Sequence, residues 1–258
     1  MGHERVGALP HTKRWRAIVE AIAATADGNR AAVAGIGAAT IGNVASRFSR
    51  LHNDSGVQAA FAFLVSLATD HLPASAGLTS PQTRLDENPS PFRLAQSLNG
   101  WVRKHAASTE YAELACRAAG DTIAEWTRRE SRQGRLFDEA TRAGAVWERS
   151  ANGSGFCELA RTFFSHFTRR YLQYFLDREA SAVIASVSAR EAFRRSLRAH
   201  VEDLSRHAFE TSRITESFAA GWFNKHAREA RPSNREVEGF LAIAFGKLHE
   251  ELRREARQ

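Results

Sequence analysis

The chain has 258 residues, 43% of them hydrophobic and 25% charged, with a net charge of +7. That length and balance exclude a disordered or low-complexity polymer and allow a sizeable buried core. Its two cysteines, Cys116 and Cys157, lie far apart with no Cys-x-x-Cys, which excludes a disulfide framework and a cysteine zinc site and suits a reducing cytoplasm.

The first predicted helix covers about 13–26, with Trp15, Ile18, Val19 and Ile22 on one face and Gly28 placed to end it. The charges at Glu4, Arg5, Lys13, Arg14 and Arg16 have no long apolar core behind them, so no signal peptide is expected. A second helix, about 30–51, spaces Val33, Ile36, Ile41, Val44, Phe48 and Leu51 helically. Its Gly35, Ala38, Ala39 and Gly42 read as a close-packing surface; the phosphate-loop lysine is missing. The third, about 56–70, is apolar nearly all round through Phe61, Phe63, Leu64, Val65 and Leu67, and is expected at the centre of the fold. It is too short to span a bilayer of about 30 Å.

Residues 71–91 form a long loop marked by Pro73, Pro81, Pro89 and Pro91. Ser90-Pro91 then opens a helix carrying Phe92, Leu98, Trp101 and Val102, an N-cap residue followed by proline at the first helical position. Helices at about 109–132 and 136–150 face Leu114, Ile123, Trp126, Leu136, Val146 and Trp147 inward. Asn152-Gly153-Ser154-Gly155 reads as a linker, either a domain boundary or a tight helix connection. Beyond it come a helix at 156–179, one opened by the capping box Ser188-x-x-Glu191, and one near 214–230 with Ile214, Phe218, Trp222 and Phe223. Pro232 and a second capping box, Ser233-x-x-Glu236, open the last helix, with Val237, Phe240, Leu241, Ala244, Phe245, Leu248 and Leu252 as its stripe.

The expected fold is therefore an all-α, compact bundle of about nine or ten helices. It is either a single domain or two sub-bundles, 1–151 and 156–258, the second being basic. The bias toward arginine, 32 Arg against 4 Lys, also arises from codon bias in a GC-rich genome, so the location of the charge says more. Residues 161–200 hold 8 basic and 3 acidic side chains, whereas 61–130 hold 7 and 8. A local basic surface is the footprint of an anionic partner.

On the aromatic helix, Phe156, Leu159, Phe163, Phe167, Tyr171 and Tyr174 share one arc, while Arg161 and Arg169 point elsewhere. The rings therefore read as core rather than as a stacking platform for bases, with Arg170, near Tyr174, the candidate for a mixed site. Downstream, Ser196, His200, Asp203, His207 and Glu210 are spaced 4, 3, 4 and 3 residues apart, on one flank of a helix. His200 and His207 are about 10 Å apart along the axis, too far for one ion, so the strip reads as a polar flank and no metal or cofactor is expected.

Arg195…His200, Arg161…His166 and Arg47…His52 each have four residues between arginine and histidine. This resembles the Arg-x4-His spacing of HEPN ribonucleases, with Ser196 as the polar residue after the arginine in the first pair. The resemblance implies metal-independent RNA cleavage by a dimer, in a toxin or defence setting, with His200 moving protons and Arg195 stabilising charge on the phosphate.

The leading expectation is a non-enzymatic cytoplasmic subunit of a larger protein complex, contacting DNA or RNA through Arg170, Arg190, Arg194, Arg195 and Arg198. The alternatives are the ribonuclease using Arg195 and His200 and a purely structural protein-interaction bundle. A homodimer is expected for the ribonuclease alternative, and no membrane role is expected.

Overall fold

The structure is a computed structural model that describes residues 13, 17, 18, 20, 48, 50–69, 90–106, 111–136, 145–195, 216–227 and 232–255. Among these there are helices and no strands, so the chain is an all-α multi-helix protein. The α-helices are α1 (Ser55–Ala68), α2 (Pro91–His105), α3 (Ala112–Leu136), α4 (Ala145–Glu148), α5 (Gly153–Val183), α6 (187–195), α7 (Glu216–His226) and α8 (Asn234–Glu255). Among the described residues no helix is long and apolar enough to cross a membrane.

The chain divides into two compact units: 1–51, 168–213 and 244–258 form one, and 52–167 with 214–243 form the other. The second unit is built around α1, which packs against α2 and α3. Asp54 caps α1, its Oδ1 accepting from the backbone N–H of Gly56 (2.9 Å) and Val57 (3.0 Å). Phe61, Phe63, Leu64, Val65 and Leu67 are all buried, as an all-round apolar helix requires. Ser90 and Pro91 start α2 as the sequence dictates, Ser90 Oγ accepting from Arg93 N–H. The Trp101 indole N–H donates to Ala59 O at 3.1 Å and ties α2 to α1. Phe92, by contrast, is 77% exposed, and Leu94 takes the inward position one turn before Leu98.

Asn152–Gly155 is a tight junction between a 3-10 turn (Arg149–Ala151) and α5, whose first turn includes both glycines. Asn152 Oδ1 accepts from Gly155 N–H at 2.9 Å and its Nδ2 donates to Arg149 O at 3.0 Å. A Cβ on Gly155 would lie 1.8 Å from Arg149 O, and one on Gly153 2.4 Å from Ala220 Cβ. The glycines are there because neighbouring chain passes too close for any side chain, not because the segment is a free loop.

The second unit's aromatic core centres on Phe240. That ring stacks on Phe61 (5.2 Å between centroids) and Phe218 (5.3 Å) and contacts Phe156, Phe164 and Trp222. In the first unit Phe48 meets Tyr171 (5.5 Å) and Phe245 (5.2 Å), and Tyr171 meets Phe175 (5.1 Å). The stripe from Val237 through Leu248 is buried at each of its six predicted positions; the side chain of Leu252 lies outside the described residues. Ser233 and Glu236 form the expected reciprocal box: Ser233 N–H donates to Glu236 Oε2 (2.7 Å) and Glu236 N–H to Ser233 Oγ (3.3 Å).

The other predicted box is shifted. α6 begins two residues earlier, with Ser186 as its cap: Ser186 Oγ accepts from Ala189 N–H at 3.4 Å, and Arg190 N–H donates to Ser186 O. Ser188 lies in the first turn, its hydroxyl hydrogen-bonded to that of Ser186, and Glu191 pairs with Arg194 instead of capping. Two serines two residues apart offer competing caps, and the backbone hydrogen bond from Arg190 N–H to Ser186 O adds a turn ahead of the Ser188 box.

Candidate nucleic-acid interface

The described part of the basic stretch lies in the second half of α5 and in α6, both in the first unit. Ile184 and Phe193 are buried and anchor the α5–α6 connection and α6. At 100° per residue, Arg190 lies 60° from Phe193, Arg194 100° and Arg195 160°. The burial follows that order: Arg190 is half-buried, while Arg194 and Arg195 are exposed. Arg194 reaches Asp177 of α5 (3.6 Å) and Glu191 of its own helix (3.5 Å), so an ion pair links α6 to α5. Both contacts are largely exposed and long, worth at most about 1 kcal/mol together.

Arg170, the residue expected at a mixed aromatic–basic site, is half-buried on α5 and already engaged in interactions within the chain. Phe156, Leu159, Phe163, Phe167 and Tyr171 are at most 1% exposed. The rings are core, and Tyr174 alone of that arc is half-buried. Phe164, Leu172, Phe175 and Leu176 are buried as well, so α5 hides more of its circumference than the single arc predicts. Arg198, His200 and the rest of the strip at Ser196, Asp203, His207 and Glu210 lie outside the described residues, as does Arg47.

Of the three Arg-x4-His pairs, Arg161…His166 is described at both ends. His166 Nε2 donates to Glu125 Oε2 of α3 at 2.8 Å, and its Nδ1 stands 3.9 Å from Asp121 Oδ2. That hydrogen bond holds the Glu125 carboxyl below its ordinary range against the opposing effect of burial. The imidazole is a strut between α3 and α5. A second charged cluster surrounds buried Glu130, which meets Arg129 (3.3 Å) and Arg149 (3.1 Å). Arg129 also pairs with Glu158 and lies 4.5 Å over the Trp126 ring. Its charges are matched, as a buried carboxylate requires. Among the described residues no three His, Cys, Asp or Glu side chains are grouped to hold a metal ion.

Sequence reasoning passed over α2. Its exposed side carries Arg93, Arg103, Lys104 and His105, and the helix contains no acidic residue. The signal was present, since residues 91–105 lack Asp and Glu altogether, but averaging over 61–130 buried it among flanking acids.

No family model, curated protein or solved structure matches the chain.

Proposed function

We propose that the protein is a non-enzymatic helical subunit that contacts nucleic acid through the arginine-rich surface of the α5–α6 region, around residues 161–200. The observation that carries this reading is the charge of that region. Residues 168–195 hold six arginines (169, 170, 178, 190, 194 and 195) against three acidic residues. Burial of Phe193 turns Arg195 outward and leaves Arg194 exposed on the same helix. Guanidinium groups displayed from a helix suit bidentate contact with phosphate oxygens.

The reading is tested by fluorescence anisotropy with labelled DNA and RNA, comparing the wild type with Arg194→Gln/Arg195→Gln/Arg198→Gln. Binding should weaken steeply with salt in the wild type. The variant's slope of log affinity on log salt should be shallower by about 0.7–0.9 for each phosphate it no longer neutralises. Wild-type protein with no affinity for either polymer at physiological salt would replace the reading with a purely protein-binding bundle. RNA cleavage that resists EDTA and disappears in His200→Ala would replace it with the ribonuclease.

A further inference from the structure

We propose that α2 is a second nucleic-acid contact, a helix that lies in the major groove of duplex DNA with cations at each end on the two phosphate rows. The inference rests on the nucleic-acid reading above and extends it to the other compact unit and to a polymer type.

The two faces of α2 differ sharply. Leu94, Leu98, Trp101 and Val102 are buried within an arc of about 100°. Opposite them, Phe92, Gln96, Asn99, Gly100, Arg103 and Lys104 are exposed, with Arg93 at the edge of the same strip. The strip has three permanent cations and no anion. Glu113, the first acidic residue of the following helix, is paired with Arg117. A solvated face selected only for solubility mixes both signs; this one carries a single sign, complementary to phosphate.

Spacing then narrows the partner. Arg93 and Arg103 are ten residues apart, about 15 Å along the axis. The major groove of B-form DNA is about 12 Å wide, so a helix that enters it obliquely, crossing from one side to the other, sets cations about 15 Å apart near the phosphates of both rows. The middle of the strip offers Gln96, an amide suited to base edges, and Gly100, where a Cβ would meet nothing within 4 Å of this chain. Asn99 is committed within the protein, donating to Ala95 O (2.8 Å) and accepting from the Cys116 thiol (3.2 Å). Gly100 leaves the centre flat where a groove floor must approach most closely. The major groove of A-form RNA is too deep and narrow to admit the helix, which selects DNA.

The test uses the full chain and a short mixed-sequence DNA duplex, with a double-stranded RNA of the same sequence as comparison. In Arg93→Gln/Arg103→Gln/Lys104→Gln all three replaced side chains are exposed, and circular dichroism checks that helicity is kept. Its salt slope on duplex DNA should fall by about 2.7, so that between about 50 and 200 mM salt the wild type loses about 40-fold more affinity than the variant. Gly100→Glu, which sets a negative charge at the centre of the strip, should weaken duplex DNA binding roughly tenfold or more at low salt. A triple variant with the wild-type slope overturns the α2 contact, and if the α6 variant is still impaired the nucleic-acid reading stands without it. Equal loss on double-stranded RNA overturns the groove assignment. A wild type that binds neither duplex overturns the α2 contact, and one that also binds no single-stranded DNA or RNA removes the nucleic-acid reading with it.

Discussion

Gly155→Ala sets helix propensity against packing in one substitution. In an open helix interior, alanine is more favourable than glycine by about 1 kcal/mol. At Gly155 the added Cβ would lie 1.8 Å from Arg149 O, 2.8 Å from Arg149 C and 3.1 Å from Ser150 Cα. Ordinary contact begins near 3.4 Å, and every one of these neighbours is backbone, so the 3-10 turn has to move away from α5 by well over 1 Å. Overpacking of this kind costs up to about 3 kcal/mol. The same displacement pulls apart the hydrogen bonds by which Asn152 holds Arg149 O and Gly155 N–H, a cap worth about 1 kcal/mol. With the propensity gain offsetting the cap, the net loss is about 3 kcal/mol. For a chain of this size that lowers the melting temperature by roughly 6–12 °C. Urea unfolding followed by circular dichroism gives the free energy directly. A midpoint at or above that of the wild type would refute the close approach and restore Asn152–Gly155 as a free linker.

Gly100→Ala is the matching control: its Cβ meets nothing, so urea unfolding should show a gain of up to about 1 kcal/mol. Phe240→Ala should cost about 3–5 kcal/mol in the same assay, because the fully buried ring packs against Phe61, Phe156, Phe164, Phe218 and Trp222. Burial pushes the Cys116 thiol up to about 11, with the Arg103 charge pulling the other way. In native protein near pH 8 its alkylation, followed by mass spectrometry, should be roughly a hundredfold or more slower than that of an exposed thiol of pKa about 8.5. Hydrogen bonds from the Ser233 backbone and hydroxyl, and then from His226, lower Glu236 to about 2 from 4.5. Since the folded value lies below the unfolded one, the stabilisation is whole above about pH 4.5 and is lost as pH falls toward 2. Thermal melts across that window should be less pH-dependent in Glu236→Gln than in the wild type; identical pH profiles would contradict the assignment.

Much of the fold was legible because the local signals agreed with one another. Ser90-Pro91, Ser233…Glu236 and the stripe of α8 each combine a cap with a periodic apolar face, and each appears where the sequence places it. Ser188…Glu191 failed because Ser186 offers an equivalent hydroxyl two residues earlier, and Glu191 pairs with Arg194 instead. The candidate interface was legible in part. The count of arginines over 161–200 singles out the candidate stretch, and helical phase correctly assigns the rings to the core. The basic face of α2 went unseen because its charge is cancelled in sequence by acids that belong to α3 and to the preceding segment.

By itself, the sequence determined the all-α class, the main helix starts and which face of α8 is apolar, because these depend on a residue's chemistry and its neighbours one turn away. Tertiary structure alone decided the role of Gly153 and Gly155, the engagement of Arg170, the pairing of His166 with Glu125 and the outward turn of α2's cations. Each depends on a group distant in sequence and close in space: a carbonyl, a carboxylate or a hydrophobic neighbour that no local window contains. Periodicity records that a helix has an inside. What lies against that inside, and therefore which charges remain outside, is settled only when the helices pack.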